Sequence, residues 1–67
     1  MRKAGGTGIR ILRAILERLR EDRLWRVSTE QRQLSALAEA IEEERPGLLP
    51  SYPIARQAYL RKAMEVF

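Results

Sequence analysis

Hydroxyl side chains are the candidate nucleophiles of this 67-residue sequence, which contains neither histidine nor cysteine. The candidates are Ser28, Thr29, Ser35 and Ser51. Each would need a lysine or a carboxylate as a positioned base before it could attack a substrate, and no spacing in the sequence suggests such a pairing. Without histidine or cysteine a zinc site is also not expected. We therefore expect a protein that is not an enzyme and that carries no metal or other cofactor.

Paired carboxylates and a glycine-rich segment are the remaining features with catalytic or ligand-binding potential. Glu17 and Glu21, and likewise Glu39 and Glu43, stand four residues apart. Such pairs usually face solvent on a helix, and a domain of this size has little cavity in which the pKa of a carboxyl group could be raised. The segment Gly5-Gly6-Thr7-Gly8 lacks the spacing and the Gly-Lys-Ser/Thr ending of a phosphate-binding loop. We interpret it as part of a flexible segment.

The apolar residues predict an all-α fold. They recur with the 3.6-residue period of a helix in residues 8–23, in residues 29–44 and in a third stretch that begins near residues 51–53. No run of four or more residues follows the alternating pattern of a β-strand. We expect one compact three-helix domain over residues 7–67, preceded by a flexible basic tail over residues 1–6.

Turn and cap residues predict where these helices begin and end. Ser28, with Gln31 three positions later, has the form of a capping box at the start of the second helix. Pro46-Gly47 predicts the end of that helix. We expect a break at residues 24–27 between the first two helices, and a proline-rich loop at residues 46–53 before the third.

Basic side chains outnumber acidic ones by 13 to 9, which leaves a net charge of +4. The excess lies in the first and third predicted helices, whereas the second is acidic. Packing the second helix between the other two would place opposite charges side by side, so part of the charge pattern has a structural explanation. Because no run of about 20 apolar residues and no signal-peptide core is present, we expect a soluble, cytoplasmic protein with no membrane span.

Arginine and amide side chains near the start of the sequence and on helix three favour nucleic-acid binding, because these groups contact phosphates and base edges. The candidate residues are Arg2, Lys3, Arg10, Arg13, Arg56, Gln57, Arg61 and Lys62. The proline-rich connection is longer than the turn of a helix-turn-helix motif, and the glutamates of helix two would meet phosphates if that helix read the groove. A small DNA- or RNA-binding regulator is therefore the alternative hypothesis.

Aromatic and apolar side chains favour a protein partner. Trp25 lies outside the apolar stripe of helix one and next to Arg26, and tryptophan with arginine is typical of interface hot spots. Helix three is apolar over nearly half its circumference, which is more than one small core covers. The expected protein-interface residues are Trp25, Arg26, Tyr59, Leu60, Met64 and Phe67. A second copy of the chain could also cover them, so a homo-oligomer is one form of this hypothesis.

One segment resembles a known family. Residues 37–52 read LAEAIEEERPGLLPSY and resemble the helix-then-proline segment of the theta subunit of bacterial DNA polymerase III, a small helical protein that binds the proofreading exonuclease. The resemblance covers 16 of the 67 residues. Outside this segment the break at residues 24–28 departs from that family's long first helix, so no site residue is carried over.

Binding to a membrane surface is a lesser alternative. Helix one is amphipathic and basic, but Glu17, Glu21 and Asp22 interrupt its positive face, which an anionic lipid surface would not favour. We therefore expect a small, non-catalytic helical protein that binds and regulates or inhibits a macromolecular partner, with another protein ahead of nucleic acid.

Overall fold

Helices account for most of the structure, a computed structural model that describes the backbone of residues 3–67 and the side chains from residue 8 onward. The described residues form four helices and no β-strand: α1 (Lys3–Glu21), α2 (Arg23–Arg26), α3 (Glu30–Glu44) and α4 (Pro53–Val66). The prediction of a compact all-α fold is confirmed. No helix in this part of the chain combines the length and the apolar character needed to span a bilayer.

The beginning of α1 differs from the prediction. The helix starts at Lys3 rather than near residue 8, so the backbone of residues 3–6 is helical where a flexible tail was expected. Adding residues to an existing helix avoids the cost of nucleating a new one, which is why the glycines of this segment do not stop it. Met1 and Arg2 belong to the predicted tail and lie outside the described residues.

The predicted break between the first two long helices contains α2, a single helical turn. The main-chain N–H of Leu24 donates to Asp22 Oδ1 at 2.9 Å, so Asp22 caps this turn. The predicted capping box of Ser28 and Gln31 is not formed; α3 is capped one residue later by Thr29, whose Oγ1 accepts from the N–H of Arg32 at 3.3 Å. The hydroxyl of Ser28 instead donates to the carbonyl of Leu24 at 2.6 Å.

Residues 45–52 connect α3 to α4 without regular structure. Gly47 has φ = 89°, in the left-handed region that glycine adopts without steric cost. Leu49 is buried, which ties the connection to the core. Pro53 occupies the first position of α4. An N–H at that position would have no acceptor within the helix, so proline costs no hydrogen bond there.

A single hydrophobic core joins the elements, and α3 contacts each of the other three helices. Its buried members are Leu12, Ile15, Leu16, Trp25, Leu34, Leu37, Ile41, Leu49, Leu60 and Ala63.

Ion pairs link α3 to its neighbours. Arg56 lies 3.5 Å from Glu42, and Arg61 lies 3.8 Å from Glu30, so α4 runs antiparallel to α3. A third pair, at 4.0 Å, joins Arg18 of α1 to Glu44 of α3. The acidic character of α3 is therefore complemented by arginines of both neighbouring helices.

Candidate functional site

The solvent-facing side of α4 carries apolar residues, as its buried side does. Ile54 is 86% exposed and Val66 is 58% exposed. Ala55 and Ala58 lie between them on the same side of the helix and are exposed as well. We refer to Ile54, Ala55, Ala58 and Val66 as the outer face of α4. The charged residues Arg61, Lys62 and Glu65 are also exposed on α4, so the outer face is a set of apolar side chains among polar ones.

An apolar groove between α1 and α4 adjoins the outer face. Its volume is about 280 Å³, and it is lined by Leu12, Tyr59, Lys62, Ala63, Val66 and Phe67. Burial raises the pKa of the Tyr59 phenol, because the ionised form would lose solvation there. The groove and the outer face share Val66, so a partner that filled the groove would also contact the C-terminal end of the outer face.

The six predicted protein-interface residues differ in how far they are buried. Trp25 and Leu60 are only 8% and 1% exposed, so their assignment to an interface is corrected: other parts of the same chain cover them. Tyr59, Met64 and Phe67 are half-buried along α4, and Arg26 is exposed on α2. Sequence periodicity places a residue on a helix, but it does not show how the helix is rotated against its neighbours, which decides burial.

Trp25 is buried because the turn of α2 directs its indole ring toward the core. The side-chain amide of Gln33 donates to the main-chain carbonyl of Trp25 at 2.8 Å, which holds α2 against α3. Within the described part of the chain, Trp25 Nε1 is the one buried side-chain nitrogen or oxygen without a hydrogen-bond partner. The predicted anchor is therefore a core residue that positions the residues beside it.

Those neighbours form a second exposed apolar surface that sequence reasoning missed. Leu24 and Val27 are each 74% exposed. They line a shallow recess of about 480 Å³ together with Ser28, Thr29 and Arg32. We refer to Leu24 and Val27, with Arg23, Arg26 and Arg32 beside them, as the α2 corner. The signal was an apolar pair at i, i+3 among arginines, but residues 24–27 were interpreted as a break between helices.

The candidate nucleic-acid residues of α4 are partly engaged in other contacts. Arg56 and Arg61 form the ion pairs to α3, and the Arg56 guanidinium also donates to the carbonyl of Pro50 at 3.4 Å. Gln57 and Lys62 are exposed. The acidic side chains beside Arg56 and Arg61 would repel a phosphate backbone that approached this side of the helix.

Two of the candidate nucleic-acid residues of α1 have described side chains. Arg10 and Arg13 are exposed, and Arg13 lies 4.0 Å from Glu17. The backbone of Lys3 belongs to α1, while its side chain, like the whole of Arg2, is outside the described residues.

Metal-binding and family comparisons add no further assignment. Among the residues that the structure describes, no group of three or more Asp or Glu side chains is placed to hold a metal ion. Comparison of the chain with protein-family models, with curated proteins and with solved structures gives no significant match. The functional argument therefore depends on the exposed surfaces themselves.

Proposed function

We propose that this protein is a small, non-catalytic helical module that binds another protein and regulates or inhibits it. The observation that carries the proposal is the outer face of α4, where Ile54 is 86% exposed on a helix that also buries apolar residues in the core. Exposed aliphatic side chains gain free energy when a partner removes them from water. In an interface they form the apolar centre around which polar groups make the rim.

The groove beside the outer face strengthens this proposal. Its lining is almost entirely apolar, and its volume of about 280 Å³ suits one or two side chains of a partner. Tyr59 lies at its wall with a phenol that is neutral at physiological pH, because its ordinary pKa is about 10 and burial raises the pKa further. Tyrosine and phenylalanine are enriched in protein interfaces, because they combine a large contact area with few rotatable bonds.

A double substitution of the outer face tests the proposal. Ile54→Ser with Val66→Ser should leave the fold intact, because exposed side chains away from the core change stability by only about 0.5 kcal/mol or less. The matched control is Ile9→Ser, which replaces an aliphatic residue on α1 that is 50% exposed. Circular dichroism in urea checks that both proteins are folded.

The measurement is affinity purification from the source cells, in low and in high salt, followed by identification of the bound protein and titration of the purified pair. We expect one protein to remain bound in high salt. It should not be recovered with the double variant, and it should be recovered with Ile9→Ser. Equal recovery with the double variant would contradict the proposal. So would retention on duplex DNA that disappears as salt is raised, because that behaviour indicates phosphate contacts.

Sedimentation of the purified protein distinguishes a second copy of the chain from a different partner. If the wild-type protein forms a dimer that the double variant lacks, the partner is another copy of this chain. If it remains monomeric while the titration shows binding, the partner is a different protein. In both cases the outer face of α4 is the binding surface, and a dimer that the double variant retains places the contact elsewhere.

A further inference from the structure

We propose that the α2 corner is a second docking surface, one that binds an acidic protein segment carrying apolar residues beside its carboxylates. This surface lies on different elements from the outer face of α4, so the proposal stands independently of the function proposed above. It follows from the shape, the charge and the rigidity of the α2 corner.

The apolar part of the surface consists of Leu24 and Val27. Leu24 lies within α2 and Val27, three positions later, caps its end, which places the two side chains next to each other, and each is 74% exposed. Beneath them the indole of Trp25 is buried, so α2 cannot turn Leu24 and Val27 inward without expelling Trp25 from the core. The recess of about 480 Å³ beside them offers room for apolar side chains of a partner.

The surface carries arginines that can pair with the carboxylates of a partner. Arg23 and Arg26 are exposed on the same turn, and Arg32 lines the recess. In the part of the chain that the structure describes, none of these three arginines forms an ion pair, whereas four other arginines do. A guanidinium group pairs with a carboxylate through two parallel hydrogen bonds, which makes carboxylates the complementary groups for this surface.

The acidic residues nearest in sequence are Glu21, Asp22 and Glu30, and in the described part of the chain none of them forms an ion pair with these arginines. Asp22 Oδ1 accepts the hydrogen bond from the N–H of Leu24 that begins α2. Glu30 Oε1 lies 3.8 Å from the guanidinium of Arg61, on the α4 side of α3. Asp22 thus caps α2 and Glu30 pairs with Arg61, and neither lies in an ion pair with Arg23, Arg26 or Arg32.

The surface is also held rigidly before any partner binds. The hydroxyl of Ser28 donates to the carbonyl of Leu24 at 2.6 Å, and the N–H of Ser28 donates to the carbonyl of Trp25 at 3.1 Å. The Gln33 amide donates to the same carbonyl at 2.8 Å. A surface whose backbone is fixed in this way loses little conformational entropy when it binds.

A protein segment fits this combination better than a nucleic acid or a lipid surface does. A phosphate backbone would pair with the arginines. It would leave Leu24 and Val27 in water or in contact with charged phosphates. An anionic membrane would bind a longer basic amphipathic helix, whereas α2 is only one turn long. Carboxylates with neighbouring apolar side chains match both parts of the surface at once.

The test is selection from a displayed library of random peptides against the purified full-length protein. Two variants of the surface are compared: Leu24→Ser with Val27→Ser, and Arg23→Glu with Arg26→Glu. Both change exposed side chains, so the fold should be retained, which circular dichroism verifies. The matched control is Arg10→Glu with Arg45→Glu, which reverses two exposed arginines outside the α2 corner. Ile54→Ser with Val66→Ser serves as the control for the outer face of α4.

We expect the selected peptides to be enriched in Asp or Glu beside Leu, Ile or Phe. Their affinity should fall at least roughly tenfold with each α2-corner variant, and it should change little with either control. Raising the salt concentration should weaken binding in part, because only the arginine contacts are screened.

Several results would overturn the proposal. These are selection of peptides without acidic enrichment, failure to select any binding peptide, and affinities that respond equally to the Arg10→Glu with Arg45→Glu control. Vesicles of phosphatidylcholine and phosphatidylserine, and random duplex DNA, are tested as alternative ligands. Binding of either one in place of the peptides, with loss in the same two α2-corner variants, would assign the surface to lipid or to nucleic acid.

Discussion

The guanidinium of Arg20, near the end of α1, donates a hydrogen bond to the main-chain carbonyl of Met64 at 3.2 Å and another to the carbonyl of Phe67. These carbonyls lie at the C-terminal end of α4, where no further turn of the helix supplies N–H donors. The positive charge also interacts favourably with the helix dipole at that end. Arg20 thus connects two helices that are distant in sequence, and it caps the helix that carries the proposed interface.

Replacing Arg20 with methionine should lower the free energy of unfolding by about 1–2 kcal/mol, because two charge-assisted hydrogen bonds in a partly buried position are lost. The control is Arg18→Met, which removes only an exposed ion pair with Glu44 and should cost about 0.5 kcal/mol or less. Urea denaturation followed by circular dichroism measures both values. If the two substitutions cost the same, Arg20 is not the cap that its geometry indicates.

Two glycines should respond to alanine in opposite directions. Gly47 has φ = 89°, so Gly47→Ala forces an L-residue into the left-handed region and should destabilise the protein by about 1 kcal/mol. Gly8 lies within α1, and an added Cβ would meet Leu48 Cδ1 at 3.9 Å, an ordinary van der Waals contact. Gly8→Ala should therefore stabilise the protein by about 0.5–1 kcal/mol, because alanine favours the helix. Thermal unfolding of both variants tests the sign, and the same sign for both would contradict the expectation.

Trp25, the only tryptophan, reports on the core rather than on a partner. Its fluorescence emission should be blue-shifted in the folded protein and should shift to the red on unfolding in urea. Trp25→Ala should lower the free energy of unfolding by about 3–5 kcal/mol, which is enough to unfold a domain this small.

Trp25→Phe keeps an aromatic ring and removes the Nε1–H group, which lacks a hydrogen-bond partner. Removing that donor offsets part of the lost packing, because an unsatisfied buried donor costs about 1–3 kcal/mol. We therefore expect Trp25→Phe to remain folded by circular dichroism. Equal losses of stability for the phenylalanine and alanine variants would show that the ring contributes little packing.

Tyr59 makes stability depend on pH in the alkaline range. Since burial favours the neutral phenol, its pKa in the folded protein lies above the ordinary value of about 10. Below the unfolded-state pKa the Tyr59 phenol is neutral in both states, so its titration does not change the free energy of unfolding. That free energy should fall as pH rises from the unfolded-state pKa toward the folded-state pKa.

The Tyr52→Phe variant isolates the phenol of Tyr59, because the sequence contains two tyrosines. Its tyrosinate absorbance should appear at higher pH in the folded protein than in urea. The Tyr59→Phe variant should show a smaller loss of stability at alkaline pH than the wild-type protein. Coincident titrations of the folded and unfolded Tyr52→Phe variant would show that the groove does not desolvate the phenol.

Much of the fold was readable from the sequence. The 3.6-residue period in residues 8–23 and 29–44 predicted two of the long helices, and the prolines and Gly47 predicted where α3 ends. These signals are local, since periodicity, cap residues and turn residues act within a few positions along the chain. The start of α1 and the turn of α2 were missed, because both depend on weak local preferences that helix extension or one capping hydrogen bond can outweigh.

The surfaces were decided by tertiary packing. Trp25 and Leu60 appeared suited to an interface, yet they are core residues, whereas Leu24 and Ile54 are exposed. The apolar residues of α2 and α4 do not define one narrow stripe, so their composition is compatible with several rotations of each helix. Which rotation occurs depends on contacts with helices that are far away in sequence.

The net charge is determined by the sequence, whereas the ion pairs are determined by the tertiary structure. The excess of basic over acidic residues and the absence of histidine and cysteine are properties of the sequence, and the expectation of a binding protein rests on them. The ion pairs of Arg56 with Glu42 and of Arg61 with Glu30 arise only when α4 packs antiparallel to α3. Because electrostatic interactions depend on distances across the fold, only the tertiary structure showed which arginines are neutralised internally and which remain available to a partner.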